Sequence, residues 1–158
     1  DMKTYDDVKE KIRLFAELTG EKKKGADLVK SMDDKIAAIQ SKLPAAVKRI
    51  AILHSTAQSL TVQLDGSIAG SVAKMLGFEN VAAASQPLEG NPNAAPYSLE
   101  TLVKQNPDII FVTSMGDVEA IKQSMQQNMA ANPAWQTLPA AAGGQLYFLP
   151  QSLFLLNP

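Results

Sequence analysis

Side chains able to do chemistry are few in this sequence. Its 158 residues include a single histidine, His54, and no cysteine. A Ser-His-Asp triad needs a histidine base beside its nucleophile, and no Gly-x-Ser-x-Gly elbow is present. The absence of cysteine excludes disulfides, thiolate metal sites and cysteine nucleophiles. We therefore predict no catalytic residues, no enzyme activity and no catalytic cofactor.

Sites for phosphate, nucleic acid or a bare metal ion have weak support. The segment HSTAQSL, residues 54–60, follows the first apolar run where a nucleotide site would have a Gly-x-Gly turn. The amides of Gly66-Ser-Ile-Ala-Gly70 could hold an anion, so a doubly wound nucleotide- or phosphate-binding enzyme or regulatory domain stays open as the alternative. The net charge of −1 gives no basic field for nucleic acid. Too few histidines and carboxylates converge to predict a metal site.

Aromatic and sulfur-containing side chains follow several of the apolar runs. Tyr97, Met115 and Phe154 each stand near the end of a predicted strand or loop. Tyrosine combines an apolar body with a polar tip, and methionine is a soft, adaptable contact surface. These three residues therefore suit a large, partly apolar ligand. The alternative, that they only close the sheet edge or occupy loops, stays open.

Two helices are predicted at the start of the chain. Thr4 with Asp7 forms a capping pattern, and Thr19-Gly20 is typical of a helix end. An apolar stripe then predicts a second helix over about residues 26–43, ended by Pro44. At 1.5 Å per residue this helix would be about 27 Å long, which suits a brace or spine. The stripe consists of Leu28, Met32, Ile36, Ile39 and Leu43.

Beyond Pro44, short apolar runs alternate with helical patterns. The run Ile109-Ile-Phe-Val-Thr113 shows no polar alternation, which is typical of a strand buried on both faces. Strands that alternate with helices imply right-handed crossovers between parallel strands. We therefore predict a three-layer, Rossmann-like α/β lobe with a mostly parallel sheet of about four to five strands. The predicted strands are residues 49–53, 79–84, 108–113 and 145–149, with an edge strand or hairpin arm at 60–64 and a loop at 86–96.

Ligands of such sheets bind in the crevice beyond the carboxyl ends of the strands. In this chain those ends are the segments that follow the predicted strands. They are His54-Ser55-Thr56, residues 85–97, Ser114-Met115-Gly116 and residues 150–154. The candidate ligand-binding residues are therefore His54, Ser55, Tyr97, Ser114, Met115 and Phe154.

Two long stretches, YSLETLVKQNPDIIFVTS and NPAWQTLPAAAGGQLYFLP, share their order of motifs with a known family. The motifs are Ser-x-Glu, a helix, Pro-Asp and an apolar strand, followed by Asn-Pro-x-Trp, a glycine turn and an aromatic strand. This pattern resembles the C-terminal lobe of periplasmic binding proteins that serve ABC importers of iron-siderophore, haem and cobalamin. Here the motifs are Ser98-Leu99-Glu100, Pro107-Asp108, Asn132-Pro133-Ala134-Trp135, Gly143-Gly144 and Tyr147-Phe148.

The resemblance implies a division of the chain and a function. Residues 1–43 would be the end of an N-terminal lobe and the inter-lobe spine helix, and residues 44–158 a C-terminal α/β lobe lacking its last helix. No signal sequence or lipoprotein cysteine is visible, so we expect an excised part of an extracytoplasmic solute-binding protein. Such a protein would hold an iron or cobalt chelate between two lobes, work as a monomer and bind no nucleic acid.

The resemblance also implies roles for single residues. Glu100 matches the C-lobe glutamate that pairs with arginines of the membrane permease, and a carboxylate in the first turn of a helix stays exposed. In haem-binding relatives the loop that matches Ser114-Met115-Gly116 can supply an axial ligand. The resemblance thus makes Met115 a candidate ligand of haem iron and His54 a second candidate, while no bare metal site is predicted.

Overall fold

The computed structural model describes residues 4–43, 45–46 and 48–154, and its first two elements are helices. They are α1 (Tyr5–Leu18) and α2 (Lys22–Gln40). The capping box of Thr4 and Asp7 is confirmed, and Gly20 makes the turn with a φ of 74°. α2 begins at Lys22 rather than near residue 26, because the three lysines that open it are good helix formers. Pro44, predicted to end this helix, lies outside the described residues.

The two helices form a hairpin with a small buried seam. Ala16, Gly25 and Val29 are its buried residues, and a side chain at Gly25 would meet the Cβ of Ala16. Most of the predicted apolar stripe of α2 is only partly buried, and Leu28 and Ile39 are exposed. The hairpin therefore contributes little to the main core.

A six-stranded sheet with flanking helices follows the hairpin. The prediction of four to five strands missed β4, which lies in the predicted loop 86–96. Its three residues are too few for a periodic signal, and its last residue, Pro96, is a residue that sheets tolerate at edges. The elements are β1 (Arg49–Thr56), β2 (Leu60–Gln63), α3 (Ile68–Met75), β3 (Glu79–Asn80), β4 (Ala94–Pro96), α4 (Leu99–Gln105), β5 (Ile109–Met115), α5 (Val118–Ala131), a 3-10 helix (Pro133–Thr137), α6 (Pro139–Ala142), β6 (Leu146–Phe148) and α7 (Gln151–Phe154).

The centre of the sheet is parallel. The strand order is β4-β2-β1-β5-β6, and β3 pairs with the amino end of β1. β1, β3, β5 and β6 run parallel, whereas β2 and β4 are antiparallel additions. β2 is the arm of a hairpin with β1, one of the two alternatives that the sequence left open. The predicted mostly parallel α/β fold is confirmed.

Two strands differ in length from their predictions for identifiable reasons. β1 continues through His54, Ser55 and Thr56, predicted as loop, because these residues pair with β5 on one side and the first two also pair with β2 on the other. The strand predicted over residues 79–84 stops at Asn80. The Asn80 side-chain amide donates to the Gln63 carbonyl, and its oxygen accepts from the Ala82 amide, which turns the chain away from the sheet.

Alternating side chains of β1 and β5 build a core on each face of the sheet. One core contains Leu53 and Val112 and packs under α4, α5 and Trp135. The other contains Ile50 and Ile52 and packs against α3. We call the first the α5 face and the second the α3 face. Within the described residues, no helix is both long and apolar enough to cross a membrane.

Candidate functional site

The carboxyl ends of β1 and β5 lie side by side. Their register pairs Ser55 with Ser114 and Thr56 with Met115, one and two residues beyond the pair His54 and Thr113. The structure thereby brings four of the predicted site residues to one edge of the sheet. Because side chains alternate along a strand, Ser55 and Ser114 belong to the α5 face and His54 and Met115 to the α3 face.

The contacts of His54 favour one tautomer of its ring. Its Nδ1 lies 2.9 Å from the Thr113 hydroxyl oxygen, and that hydroxyl donates its hydrogen to the Leu53 carbonyl at 3.2 Å. The hydroxyl has one hydrogen, and the tautomer with the proton on Nδ1 satisfies both contacts, because Nδ1–H then donates to the hydroxyl oxygen. Burial lowers the pKa of His54, which favours the neutral ring. The Nε2 lone pair therefore remains available as an acceptor or a metal ligand.

Met115 and Ser114 differ sharply in exposure. Met115 is 54% exposed, whereas Ser114 is buried, and Gln151 donates to the Ser114 hydroxyl at 3.4 Å and to the Gly116 carbonyl at 2.8 Å. Gly116 has a φ of 120°, which turns the chain directly after Met115 and would strain any other residue. Met115 is therefore presented to solvent at the tip of β5, while Ser114 is occupied inside the fold.

Tyr97 follows β4 on the α5 face and stacks on Trp135. Their ring centroids are 6.5 Å apart with an interplanar angle of 17°. Burial raises the pKa of Tyr97 to about 12, because the phenolate is poorly solvated there. The pair forms an aromatic wall beside the carboxyl end of β1.

This aromatic wall borders a cavity of about 480 Å³. The turn of the β1–β2 hairpin forms the second side, and Thr56 fixes that turn by accepting from the amides of Gln58 and Ser59. One face of α5 forms the third side. None of the described lining residues is charged. The polar side chains that line the cavity are Ser55, Thr56, Gln58, Ser59, Ser124, Asn128 and Asn132.

The six predicted ligand-binding residues do not form a single site. Ser55 and Tyr97 line the cavity, whereas His54 and Met115 belong to the opposite face of the same edge. Phe154, in α7, packs against the α3-face core. Trp135 belongs to the Asn-Pro-x-Trp motif, but nothing in that pattern indicates that it borders a cavity. Ser124 and Asn128 were not predicted either, although their spacing of four residues places them on one face of α5.

Glu100 lies apart from the cavity, in the first turn of α4. The Ser98 side chain accepts from the Thr101 amide and so caps this helix. The Glu100 side chain is 79% exposed and accepts a 2.8 Å hydrogen bond from Lys104. No group of three or more acidic, histidine or cysteine side chains placed to hold a metal ion occurs in the part of the chain that the structure describes.

The sequence of this chain is similar to those of known proteins. A sequence model described as periplasmic binding protein matches residues 1–153. The Fe(3+)-citrate-binding protein YfmC of Bacillus subtilis (strain 168) is 25% identical over 145 residues, which are 91% of this chain and 42% of that protein. The iron-uptake system-binding protein of the same organism is 28% identical over 146 residues, which are 88% of this chain and 44% of that protein. The chain thus spans less than half the length of these curated relatives.

Solved structures match the fold over almost the whole chain. An ABC transporter substrate-binding protein from Listeria monocytogenes EGD-e superposes with a TM-score of 0.81 at 20% identity, covering 100% of this chain and 60% of the other. S. aureus IsdE complexed with heme gives a TM-score of 0.74 at 23% identity, covering 94% of this chain and 57% of the other. At these identities the likeness concerns the fold.

Proposed function

The chain belongs to the periplasmic binding protein family, and from that membership we propose that it captures a metal chelate outside the cytoplasm for an ABC importer. The observation that carries the proposal is the cavity at the carboxyl edge of the sheet, with its aromatic wall and uncharged polar lining. Such a lining binds and orients a ligand but offers no nucleophile–base pair. The function is therefore binding and delivery rather than catalysis.

We propose that the chelate is shared between two lobes. Residues 44–158 would form the C-terminal lobe, and α2 would be the spine that connects it to an N-terminal lobe. The cavity then forms one wall of a cleft, and a stiff spine helix would limit closure to a modest movement. Support comes from the position of the cavity at the strand ends, the usual ligand edge of parallel sheets.

Each side of the edge has its own role in this proposal. On the α5 face, Tyr97 would pack against the ligand with the buried Trp135 stacked behind it, and Ser55 would offer a hydroxyl. On the α3 face, the exposed Met115 and the Nε2 lone pair of His54 are the candidates to ligate haem iron. The cargo would accordingly be a ferric siderophore, haem or cobalamin, and the iron compounds in the names of relatives favour iron over cobalt.

Delivery would use Glu100. Its exposure and its place in the first turn of α4 suit a charge-assisted pair with an arginine of the permease. Lys104 already pairs with it, so docking would exchange one solvent-exposed partner for another. Exposed ion pairs are worth about 1 kcal/mol or less, so this exchange costs little.

The proposal is tested by a ligand screen read by absorbance and melting temperature. The protein is mixed separately with ferric siderophores, haemin, cobalamin, ATP and NAD. We expect a spectral or melting shift with at least one chelate and none with the nucleotides. Stabilisation by a nucleotide without any response to a chelate would instead support the doubly wound nucleotide-binding alternative.

A further inference from the structure

Positive charge is distributed very unevenly along this chain. Twelve of its fifteen lysines and arginines lie within residues 1–49, and only Lys74, Lys104 and Lys122 follow. The proposed α/β lobe, residues 44–158, contains five lysines and arginines (Lys48, Arg49, Lys74, Lys104 and Lys122) and seven carboxylates, a formal net charge of −2. This α/β unit, which carries the cavity, is therefore slightly acidic.

None of the five basic residues of this unit lines the cavity. Lys48 and Arg49 stand at the amino end of β1, where Arg49 pairs with Glu79 at 3.6 Å, whereas the cavity lies at the carboxyl end. Lys104 is paired with Glu100, and Lys122 is paired with Glu119 at 2.8 Å and lies over the Phe148 ring. Lys74 lies in the last turn of α3, and β3 follows this helix. β3 pairs with the amino end of β1, whereas the cavity lies at its carboxyl end. An anionic ligand would therefore lose hydration there without gaining an ion pair from this unit.

A charge that loses its water without gaining a partner costs several kcal/mol, so a wall without cations disfavours a ligand of net negative charge. Resting on the proposed function, we infer that the cavity takes an iron(III) chelate of zero or positive net charge. Three monoanionic bidentate arms, as in a tris-hydroxamate, neutralise iron(III). Citrate and tris-catecholate complexes keep a negative charge, and haem carries two propionates.

The remaining side chains of the lining suit such a neutral chelate. Ser124 and Asn128 on α5 and Gln58 on the hairpin turn supply uncharged donors and acceptors for amide and hydroxamate oxygens. Tyr97 offers apolar ring surface to the linkers between the arms, and the buried Trp135 stacks behind it. The same surface gives no counter-charge to a carboxylate.

Trp135 provides a direct readout, because it is the only tryptophan in the chain and it lines the cavity. Its fluorescence would be titrated with ferrioxamine B, a cationic tris-hydroxamate, and with ferric citrate and haemin. We expect ferrioxamine B to quench the emission at a concentration at least ten times lower than either anion. Gallium complexes, which are not paramagnetic, would be followed by melting temperature to separate binding from quenching.

A charge variant tests the same inference in the opposite direction. Asn128→Lys places a cation at the cavity. It should lower the affinity for ferrioxamine B about tenfold and raise the affinity for ferric citrate about tenfold. Gln126→Lys adds the same charge to an exposed position of α5 outside the cavity and should change neither. Circular dichroism checks that both variants keep their helices.

The outcomes separate this inference from the proposed function. If the unmodified protein bound ferric citrate or haemin more tightly than ferrioxamine B, the charge inference would be overturned, but the proposal of chelate capture would stand. Equal effects of Asn128→Lys and Gln126→Lys would also overturn the charge inference, since the cavity would then not set the preference. If no chelate changed the emission or the melting temperature, the proposed function itself would fail.

Discussion

At the scale of single residues, His54 couples the ligand edge to pH. Burial lowers its pKa, so the folded protein holds the proton less tightly than the unfolded chain, whose histidine titrates near 6.5. The stability that follows from this difference is complete above about pH 6.5 and is lost as pH falls through the lower folded pKa. Acid therefore weakens the native state through this ring.

We expect His54→Gln to remove that part of the acid sensitivity. The melting temperature of the parent protein should fall as pH is lowered from about 7 to 5, and the variant should show a flatter profile in that window. Thr113→Val is the variant for comparison, because it keeps His54 but removes the Thr113 hydroxyl. That hydroxyl accepts from Nδ1–H of His54 and donates to the Leu53 carbonyl. The substitution should cost about 1 kcal/mol or more at neutral pH. An identical acid slope in His54→Gln would contradict this assignment.

A second prediction at this scale concerns permease docking. Glu100→Ala should leave chelate affinity unchanged and reduce uptake or permease binding, because the side chain lies outside the cavity. Glu119→Ala is a matched control, since Glu119 is also in the first turn of a helix and also paired with a lysine. Loss of chelate affinity in Glu100→Ala, or equal loss of uptake in both variants, would count against a specific docking role.

The sequence could predict the ligand edge but not its division into two faces. Strand-end positions such as His54 and Met115 follow from the order of elements alone. Which side chains of neighbouring strands share a face depends on the pairing register, and a one-residue shift of β1 against β5 would reverse that assignment. Trp135 was missed because its motif reads as a short structural segment. Its contact with Tyr97 exists only after the chain has folded.

At the scale of elements, local signals were reliable and pairing signals were not. The predicted capping box of Thr4 and Asp7 needs only neighbouring residues and is confirmed, and the observed caps at Ser67, Ser98 and Asp117 are equally local. β4 and the carboxyl end of β1 depend on partners distant in sequence. Such strands leave little trace in composition, because tertiary pairing rather than propensity determines them.

The contact of α3 with the turn that precedes it yields a prediction about Gly70. Alanine is the better helix former by about 1 kcal/mol, so propensity alone would favour Gly70→Ala. A Cβ at this position, however, would meet the Leu64 carbonyl oxygen and would approach the Asp65 Cα to 2.9 Å. Backbone atoms cannot move aside cheaply, and we expect the variant to lose about 1–3 kcal/mol of unfolding free energy.

Gly66→Ala is the control in the same turn. Its Cβ would meet only the end of the Asn93 side chain, which can rotate away. Urea unfolding of the two variants compares them directly, and Gly70→Ala should show the larger loss. Equal stability of Gly70→Ala and the parent would mean that α3 can shift from its position over β1.

At the scale of the whole molecule, burial is concentrated in the α/β unit. The central residues of β1 and β5, such as Leu53 and Val112, are fully buried, whereas Phe15 on α1 is 63% exposed. The described contacts that tie α2 to the sheet unit include a 2.7 Å hydrogen bond from the Gln40 side chain to the Met75 carbonyl. Apolar spacing predicted both helices but could not say how much of each stripe would be covered.

This difference in burial predicts two levels of stability within one chain. A region with few buried apolar contacts opens at a lower free energy than the main core. Amide hydrogens of α1 and α2 should therefore exchange faster than those of β1 and β5, by about tenfold or more, under native conditions. Gln40→Ala should raise the exchange of the carboxyl end of α2 further and leave Trp135 emission unchanged, because the cavity lies on another part of the sheet. Equal protection of the hairpin and the central strands would show that the chain unfolds as one cooperative unit, and α2 would then be a more firmly seated spine than its contacts imply.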